Sequence, residues 1–206
     1  MPIPVALRMV FALCMLWAAA APAAEKSILV YGDSLSAAYG IAQSRGWVAL
    51  LGERVKRERP DYSVANASVS GETSAGGRAR IEATLARFKP TVVIVELGAN
   101  DGLRGQPVGQ MKTNLGVVIE RSRKSGARVL LVGMKLPPNY GEEYTGSFER
   151  AFGELARQHH VALVPFMLEG FAEKREYFQA DRIHPNADAQ PLIVDRVWQG
   201  LKPLLK

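Results

Sequence analysis

Cysteine is almost absent from this 206-residue chain, because its one cysteine, Cys14, lies in an N-terminal apolar segment. The rest of the chain has no disulfide to staple a small fold, so its stability must come from a hydrophobic core. Histidine is also scarce, with three residues in all. The chain contains no Gly-x-Ser-x-Gly elbow, which argues against an ordinary α/β-hydrolase.

The N-terminal residues 1–24 have the pattern of a cleaved signal peptide. Arg8 precedes an apolar run from Met9 to Ala21, and small residues of a cleavage site follow at Ala21-Pro22-Ala23. The run is shorter than the roughly 20 apolar residues that span a bilayer, although an uncleaved membrane anchor remains an alternative. We therefore expect one domain over residues 25–206 and a periplasmic or secreted location.

The basic residues are scattered rather than clustered. The chain carries a formal net charge of +6, or +5 without Arg8. No basic run is interleaved with aromatic residues, and no nucleic-acid-binding motif is recognisable. The charge is more typical of a solvated surface with a modest attraction to anionic lipid headgroups. We expect no nucleic-acid partner and only transient contact with a membrane surface.

Predicted strands and helices alternate along the chain, which specifies an α/β fold with a parallel sheet and helices on both faces. The continuous apolar run in Thr91–Leu97 is typical of a central strand. Ligands in such sheets bind beyond the carboxyl ends of the strands. The predicted strands are Ser27–Tyr31, Tyr62–Ala67, Thr91–Leu97, Ala127–Gly133 and Val161–Val164. The predicted helices are Trp47–Arg59, Arg78–Phe88, Gln110–Lys124, Ser147–His159 and Ala187–Leu204.

Three polar motifs follow the first three predicted strands. They contain Ser34, which we expect near the start of a short helix, then Gly71, and then Asn100. A serine hydroxyl becomes a nucleophile when a base takes its proton. The backbone N–H groups of Ser34 and Gly71 and the Asn100 amide can stabilise an acyl oxyanion. Taken singly, each of these residues is also typical of a turn, but together they predict acyl transfer.

The base is found by elimination among the three histidines. His159 and His160 end a predicted helix and are interpreted as surface or capping residues. His184 follows Asp181 by three residues, so that the carboxylate can reach one ring nitrogen and leave the other free for the serine proton. A metal site formed by Asp181, His184 and Asp188 is the alternative, but it lacks a further His or Cys ligand.

The segments around Ser34, Gly71, Asn100 and His184, in this order, resemble the four sequence blocks of the SGNH, or GDSL, hydrolases. The similarity runs from about Ser27 to the C-terminus and is greatest to the bacterial thioesterase I, arylesterase and lysophospholipase type. The resemblance implies a flavodoxin-like three-layer α/β/α fold with a five-stranded parallel sheet. The segments that carry it, besides the motifs, are Gly32–Gly40, Glu96–Gly105, Leu136–Gly141 and His184–Pro191.

The resemblance also implies roles for individual residues. Ser34 would be the nucleophile, His184 the base and Asp181 the orienting acid, with Gly71 and Asn100 completing the oxyanion hole. It further implies an acyl groove, for which we name Leu35, Leu103, Leu136, Pro137, Tyr140 and Ile183. The segment around Leu136–Gly141 has a Pro-rich surface turn as its alternative interpretation.

Arg182 departs from the family pattern, in which a small residue often stands between the acid and the base. It could pair with Asp181 and weaken the contact to His184, or it could meet an anionic group of the substrate.

We therefore predict hydrolysis of carboxylic esters and thioesters through an acyl-enzyme, without a cofactor or a metal ion. The expected partner is a small acyl ester or a lipid substrate, and the expected protein is a monomer. A carbohydrate O-acetyl esterase is the nearest alternative, since the same motifs serve short acyl groups on sugars. A lipid-binding carrier with an idle Ser-His-Asp triad is an alternative from another functional class.

Overall fold

The computed structural model describes residues 26–206, so the predicted signal segment and its cleavage site lie outside the described residues. One sheet organises the chain, and all of its strand pairs are parallel. The strands follow the order β2-β1-β3-β4-β5, which confirms the predicted five-stranded parallel sheet. They are β1 (Lys26–Gly32), β2 (Tyr62–Asn66), β3 (Val92–Glu96), β4 (Arg128–Val132) and β5 (Ala162–Val164).

Helices cover both faces of this sheet, as predicted. On one face α1 packs against α6, and on the other α4 packs between α2 and α5. Within residues 26–206, no helix combines the length and the apolar character needed to cross a membrane. The helices are α1 (Trp47–Glu58), α2 (Ser74–Phe88), α3 (Ala99–Leu103), α4 (Val108–Lys124), α5 (Glu142–His159) and α6 (Gln190–Leu201).

Three helices begin three or more residues away from the start predicted from the sequence. Helix α2 begins four residues early, at Ser74, because the Thr73 side chain accepts a hydrogen bond from the Gly76 N–H and caps the helix. Helix α5 begins at Glu142, with two glutamates in its first turn, where the helix dipole favours negative charge. Helix α6 begins at Gln190, three residues late.

The core lies on both faces of the central strands. All five residues of β3 are buried, and so are the last five residues of β1. Fully burying a large apolar side chain contributes about 1.5–3 kcal/mol, and a continuous cluster joins these strands to the helices on both sides. This core fixes the sheet rigidly, and with it the loops that leave the carboxyl ends of β1, β2 and β3.

Gly133, just beyond the end of β4, lies very close to the backbone that follows β5. A Cβ on Gly133 would lie 2.3 Å from the carbonyl oxygen of Pro165, a backbone atom that cannot swing away. We expect Gly133→Ala to lower the free energy of unfolding by about 1–3 kcal/mol, as overpacking does. Urea unfolding of the purified protein measures it.

Gly109→Ala is the matched control for this substitution. Gly109 lies in α4, and a Cβ there meets nothing within 4 Å, so alanine should stabilise the protein by about 0.5 kcal/mol. Equal unfolding free energies for the two variants would contradict the packing described at Gly133.

Candidate active site

Ser34 lies directly after β1, in a series of turns rather than in the predicted short helix. The Ala37 N–H donates to the Asp33 carbonyl over 2.9 Å, but no helix continues from this turn. Ala38 and Gly40 have φ values of 57° and 73°, and left-handed residues interrupt a right-handed helix. The segment therefore projects the Ser34 hydroxyl from the carboxyl end of the sheet.

The structure brings together the three side chains that were predicted to move the serine proton. The Ser34 Oγ lies 2.9 Å from the Nε2 of His184. On the other side of the ring, the His184 Nδ1 lies 2.7 Å from the Oδ2 of Asp181. When the carboxylate accepts the Nδ1 proton, Nε2 is left with the lone pair that can take the hydroxyl proton.

Asp181 is fixed by its own loop. Its Oδ1 accepts hydrogen bonds from the backbone N–H groups of Ile183 at 2.9 Å and His184 at 3.0 Å. Burial alone would raise the pKa of Asp181, but these two N–H groups and the His184 imidazole outweigh it and lower the pKa to about 2. The carboxylate is therefore ionised throughout the pH range in which an imidazole can act as a base.

Arg182 sits between these residues without disturbing them. It adopts a left-handed conformation with φ of 61°, and its N–H donates to the Gln179 carbonyl. It forms no ion pair in the part of the chain that the structure describes. Both Asp181 oxygens are occupied by the Ile183 and His184 groups, so the weakening contact considered from the sequence does not form.

Gln179 ties the loop of His184 to the loop of Ser34. Its side-chain amide donates to the Tyr39 carbonyl at 2.8 Å and the Pro185 carbonyl at 3.2 Å. The Tyr39 ring lies against the imidazole, with 4.5 Å between the ring centroids. These contacts hold the imidazole of His184 at the side of the serine, and neither Gln179 nor Tyr39 was singled out from the sequence.

Gly71 lies in the loop between β2 and α2 with φ of 77°, a conformation that favours glycine. Its carbonyl accepts a hydrogen bond from the Arg104 guanidinium at 3.1 Å, which fixes the plane of the peptide that follows. Arg80 holds the start of the same loop through the Ala67 carbonyl at 2.8 Å. Within residues 26–206, neither the Ser34 N–H nor the Gly71 N–H makes a hydrogen bond, so both are available to an oxyanion.

Asn100 lies in α3, a five-residue helix that was not among the helices predicted from the sequence. Its amide nitrogen donates to the Oδ2 of Asp33 at 3.0 Å. The Oδ1 of Asp33 accepts from the Leu35 N–H, also at 3.0 Å. One N–H of the Asn100 amide is therefore used inside the protein, and the other remains for a ligand.

A second buried carboxyl, that of Glu96, lies next to Asp33. Its Oε2 accepts from the Ser36 hydroxyl at 2.6 Å and, more weakly, from the Asp33 N–H at 3.4 Å. Burial raises the pKa of both acids, that of Glu96 well above its usual range and that of Asp33 to about 6. The hydrogen bonds from the Leu35 N–H and the Asn100 amide oppose the effect of burial and favour the ionised form of Asp33.

Neither Asp33 nor Glu96 was assigned a role in the site from the sequence. A signal was present, because Glu96 is the one charged residue in the apolar run of the predicted third strand. A carboxyl at the buried end of a core strand needs a partner, and the turn that follows β1 provides it through the Ser36 hydroxyl and the Asp33 N–H.

The residues predicted for the acyl groove fall into separate groups. Leu103 and Tyr140 are tied together, since the Tyr140 hydroxyl donates to the Leu103 carbonyl at 3.0 Å. Leu35 and Leu136 are packed into the core and are each only 9% exposed, which leaves little surface for a substrate. Ile183, which precedes His184, is exposed. Pro137 is exposed too, on a different loop.

The residues of the alternative assignments lie elsewhere. Asp188 forms an ion pair with Arg45 at 3.3 Å, and no cluster of three or more His, Cys, Asp or Glu residues in 26–206 is arranged for a metal ion. His160 takes the left-handed position that ends α5, with φ of 50°. His159 is partly buried in the last turn of that helix.

Comparisons with known proteins agree with this arrangement. The model of the GDSL-like Lipase/Acylhydrolase family matches residues 30–191. Esterase TesA of Pseudomonas aeruginosa is 52% identical over 183 residues, which cover 89% of this chain and 91% of the relative. Thioesterase 1/protease 1/lysophospholipase L1 of Escherichia coli (strain K12) is 42% identical over 183 residues, which cover 89% of this chain and 86% of that protein.

The fold agrees as well. The crystal structure of TesA superposes with a TM-score of 0.85 at 52% identity, over 87% of this chain and 100% of that one. Both the sequence similarity and the similarity of fold therefore extend along nearly the whole described chain. The chain belongs to the GDSL-like lipase/acylhydrolase family and is an ester-hydrolysing enzyme with the SGNH hydrolase fold.

Proposed function

We propose that this chain is a periplasmic or secreted serine esterase that hydrolyses carboxylic esters and thioesters, including aryl esters, acyl thioesters and lysophospholipids. One observation carries the proposal: the unbroken line of contacts from the Ser34 hydroxyl through His184 to Asp181. The donors for an oxyanion would be the N–H groups of Ser34 and Gly71, which make no hydrogen bond within residues 26–206, and the Asn100 amide. No cofactor is needed, because the chain's own groups supply nucleophile, base and oxyanion donors.

In the acylation step, His184 Nε2 takes the Ser34 proton as the serine oxygen attacks the acyl carbon. The carbonyl oxygen becomes negative and is stabilised by the N–H groups of Ser34 and Gly71 and by the side chain of Asn100. His184 then gives its proton to the leaving alcohol, phenol or thiol as the bond to the acyl carbon breaks. The product of this step is an acyl-enzyme on Ser34.

In the deacylation step, water replaces the leaving group. His184 takes a proton from the water as its oxygen attacks the acyl carbon, and then returns that proton to the Ser34 oxygen. Asp181 stays ionised and stabilises the imidazolium in both steps. The free acid leaves, and the hydroxyl is restored.

Exposed apolar side chains around this site favour an acyl or lipid substrate. Tyr39, Val69 and Ile183 are 51%, 48% and 46% exposed, and they lie on the loops that carry the serine, the oxyanion glycine and the histidine. They offer apolar contacts to an acyl chain or a lipid aggregate, and the net positive charge favours transient contact with an anionic lipid surface. The names of the two relatives, an esterase and a thioesterase/lysophospholipase, support the same substrate class.

A carbohydrate O-acetyl esterase remains the second candidate, because the catalytic atoms would be the same. The apolar loops argue for longer acyl groups, and the substrate series below distinguishes the two functions.

The proposed function is tested with p-nitrophenyl esters from acetyl to palmitoyl, on the protein without residues 1–24. We expect turnover to peak at medium or long chains and to fall at least about a thousandfold in Ser34→Ala. Ser44→Ala, an exposed serine farther along the same loop, is the matched control and should retain full activity. Turnover confined to acetyl esters would favour the carbohydrate esterase, and none in the unmodified protein would favour the idle-triad carrier.

The oxyanion role of Asn100 is tested by Asn100→Ala. Loss of one preorganised donor should lower kcat about a hundred- to a thousandfold, with a much smaller change in KM. Steady-state kinetics on one medium-chain ester measures it. A variant as active as the wild type would remove Asn100 from the oxyanion hole.

The orienting role of Asp181 is tested by Asp181→Asn. The amide would favour the wrong tautomer of His184, so we expect kcat to fall by about four orders of magnitude while the protein stays folded. Asp188→Asn is the control, because Asp188 lies on an exposed ion pair of small energetic value. If both variants keep wild-type activity, Asp181 does not act in the reaction.

A further inference from the structure

Two buried carboxyl groups lie beneath the serine turn and take no part in the mechanism above. Asp33 is 1% exposed and Glu96 is 2% exposed. Carboxyl groups are almost never fully buried unless they are paired or hydrogen-bonded. Their contacts are therefore informative about the site that they support.

Asp33 connects the loop after β1 to the short helix after β3. Its Oδ2 accepts from the Asn100 amide and its Oδ1 from the Leu35 N–H, each at 3.0 Å. The side-chain amide of Asn100 is planar, so the direction of one N–H fixes the direction of the other. Without the Asp33 carboxylate, the amide would be free to rotate about its side-chain torsions.

Glu96 fixes Asp33 in turn. It accepts the Ser36 hydroxyl, two residues beyond the nucleophile, and it lies within 3.4 Å of the Asp33 backbone nitrogen. The carboxyl lies directly against Gly32, where a Cβ would stand 2.6 Å from its Oε2. The glycine before Asp33 therefore makes room for this support.

We propose that Asp33 is a positioning residue of the oxyanion hole: its carboxylate holds the Asn100 amide so that the second N–H points at the substrate carbonyl oxygen. This role rests on the proposed function and extends it to a residue that touches neither substrate nor reacting atoms. It requires two acceptor oxygens on one side chain. An amide at position 33 has a single acceptor oxygen, and its NH2 group would face either Asn100 or the Leu35 N–H.

The test is a double-mutant cycle on kcat with one medium-chain p-nitrophenyl ester. Asp33→Asn should lower kcat about 10- to 100-fold in the wild-type background, with KM changed less than about threefold, since the interaction matters in the transition state. In the Asn100→Ala background the same substitution should lower kcat by less than about threefold. Non-additivity of this kind is expected only when one residue acts through the other.

Two further variants distinguish a positioning role of Asp33 from a loss of activity caused by poor folding. Asp33→Ser keeps an oxygen for the Leu35 N–H, as serine does in turns, but cannot reach Asn100, and it should reproduce the kcat loss and the non-additivity. Asp101→Asn is the matched control, because Asp101 is equally buried, adjoins Asn100 and accepts two hydrogen bonds from Ser74. We expect it to lower the melting temperature and to leave kcat within about threefold.

The outcomes separate this inference from the proposed function. If turnover depends on Ser34 but the losses from Asp33→Asn and Asn100→Ala simply multiply, Asp33 does not act through Asn100 and the inference is wrong. If Asp33→Asn and Asp33→Ser both keep wild-type kcat, it is also wrong. If turnover does not depend on Ser34, the proposed function fails and the positioning role fails with it.

Discussion

The parallel pairing of β1 with both β2 and β3 is the constraint on which the site depends. In this register Val30 lies beside Asn66, and Gly32 lies beside Glu96. The chain therefore leaves all three strands at the same edge of the sheet, and Ser34, Gly71 and Asn100 follow two, five and four residues after the ends of β1, β2 and β3. The carboxyl end of a parallel sheet is where ligands bind in such folds, and here the ladder itself places the loops that carry Ser34, Gly71 and Asn100 at that end.

The fourth part of the site comes from far along the chain and is fastened separately. The loop before α6 turns around the Asp181 carboxylate, which accepts two backbone N–H groups and the imidazole of His184. Gln179 then bonds this loop to the Tyr39 carbonyl. These hydrogen bonds, together with the Tyr39 ring against the imidazole, keep the His184 ring within hydrogen-bonding distance of the serine.

Much of the fold and of the candidate site could be predicted from the sequence, because local sequence patterns determine them. The alternation of strands and helices predicted the parallel sheet, and the motifs around Ser34 and His184 predicted the contacts between Ser34, His184 and Asp181. Side-chain caps and left-handed residues set boundaries that periodicity does not detect, which is why α2 begins at Ser74 and why no helix forms at Ser34. The Asp33–Asn100 and Arg104–Gly71 hydrogen bonds join segments 67 and 33 residues apart, and no local pattern reports contacts at that distance.

The central claim is that Ser34 is the nucleophile of this esterase, and covalent labelling tests it most directly. An activated serine oxygen attacks the phosphorus of a fluorophosphonate probe, as it would attack the acyl carbon of an ester, and displaces fluoride. Peptide mass spectrometry then locates the adduct on the chain. The account predicts one adduct per molecule, on the peptide that contains Ser34, with loss of esterase activity in proportion to labelling. A fully active preparation that carries no adduct, or an adduct on a different serine, would contradict it.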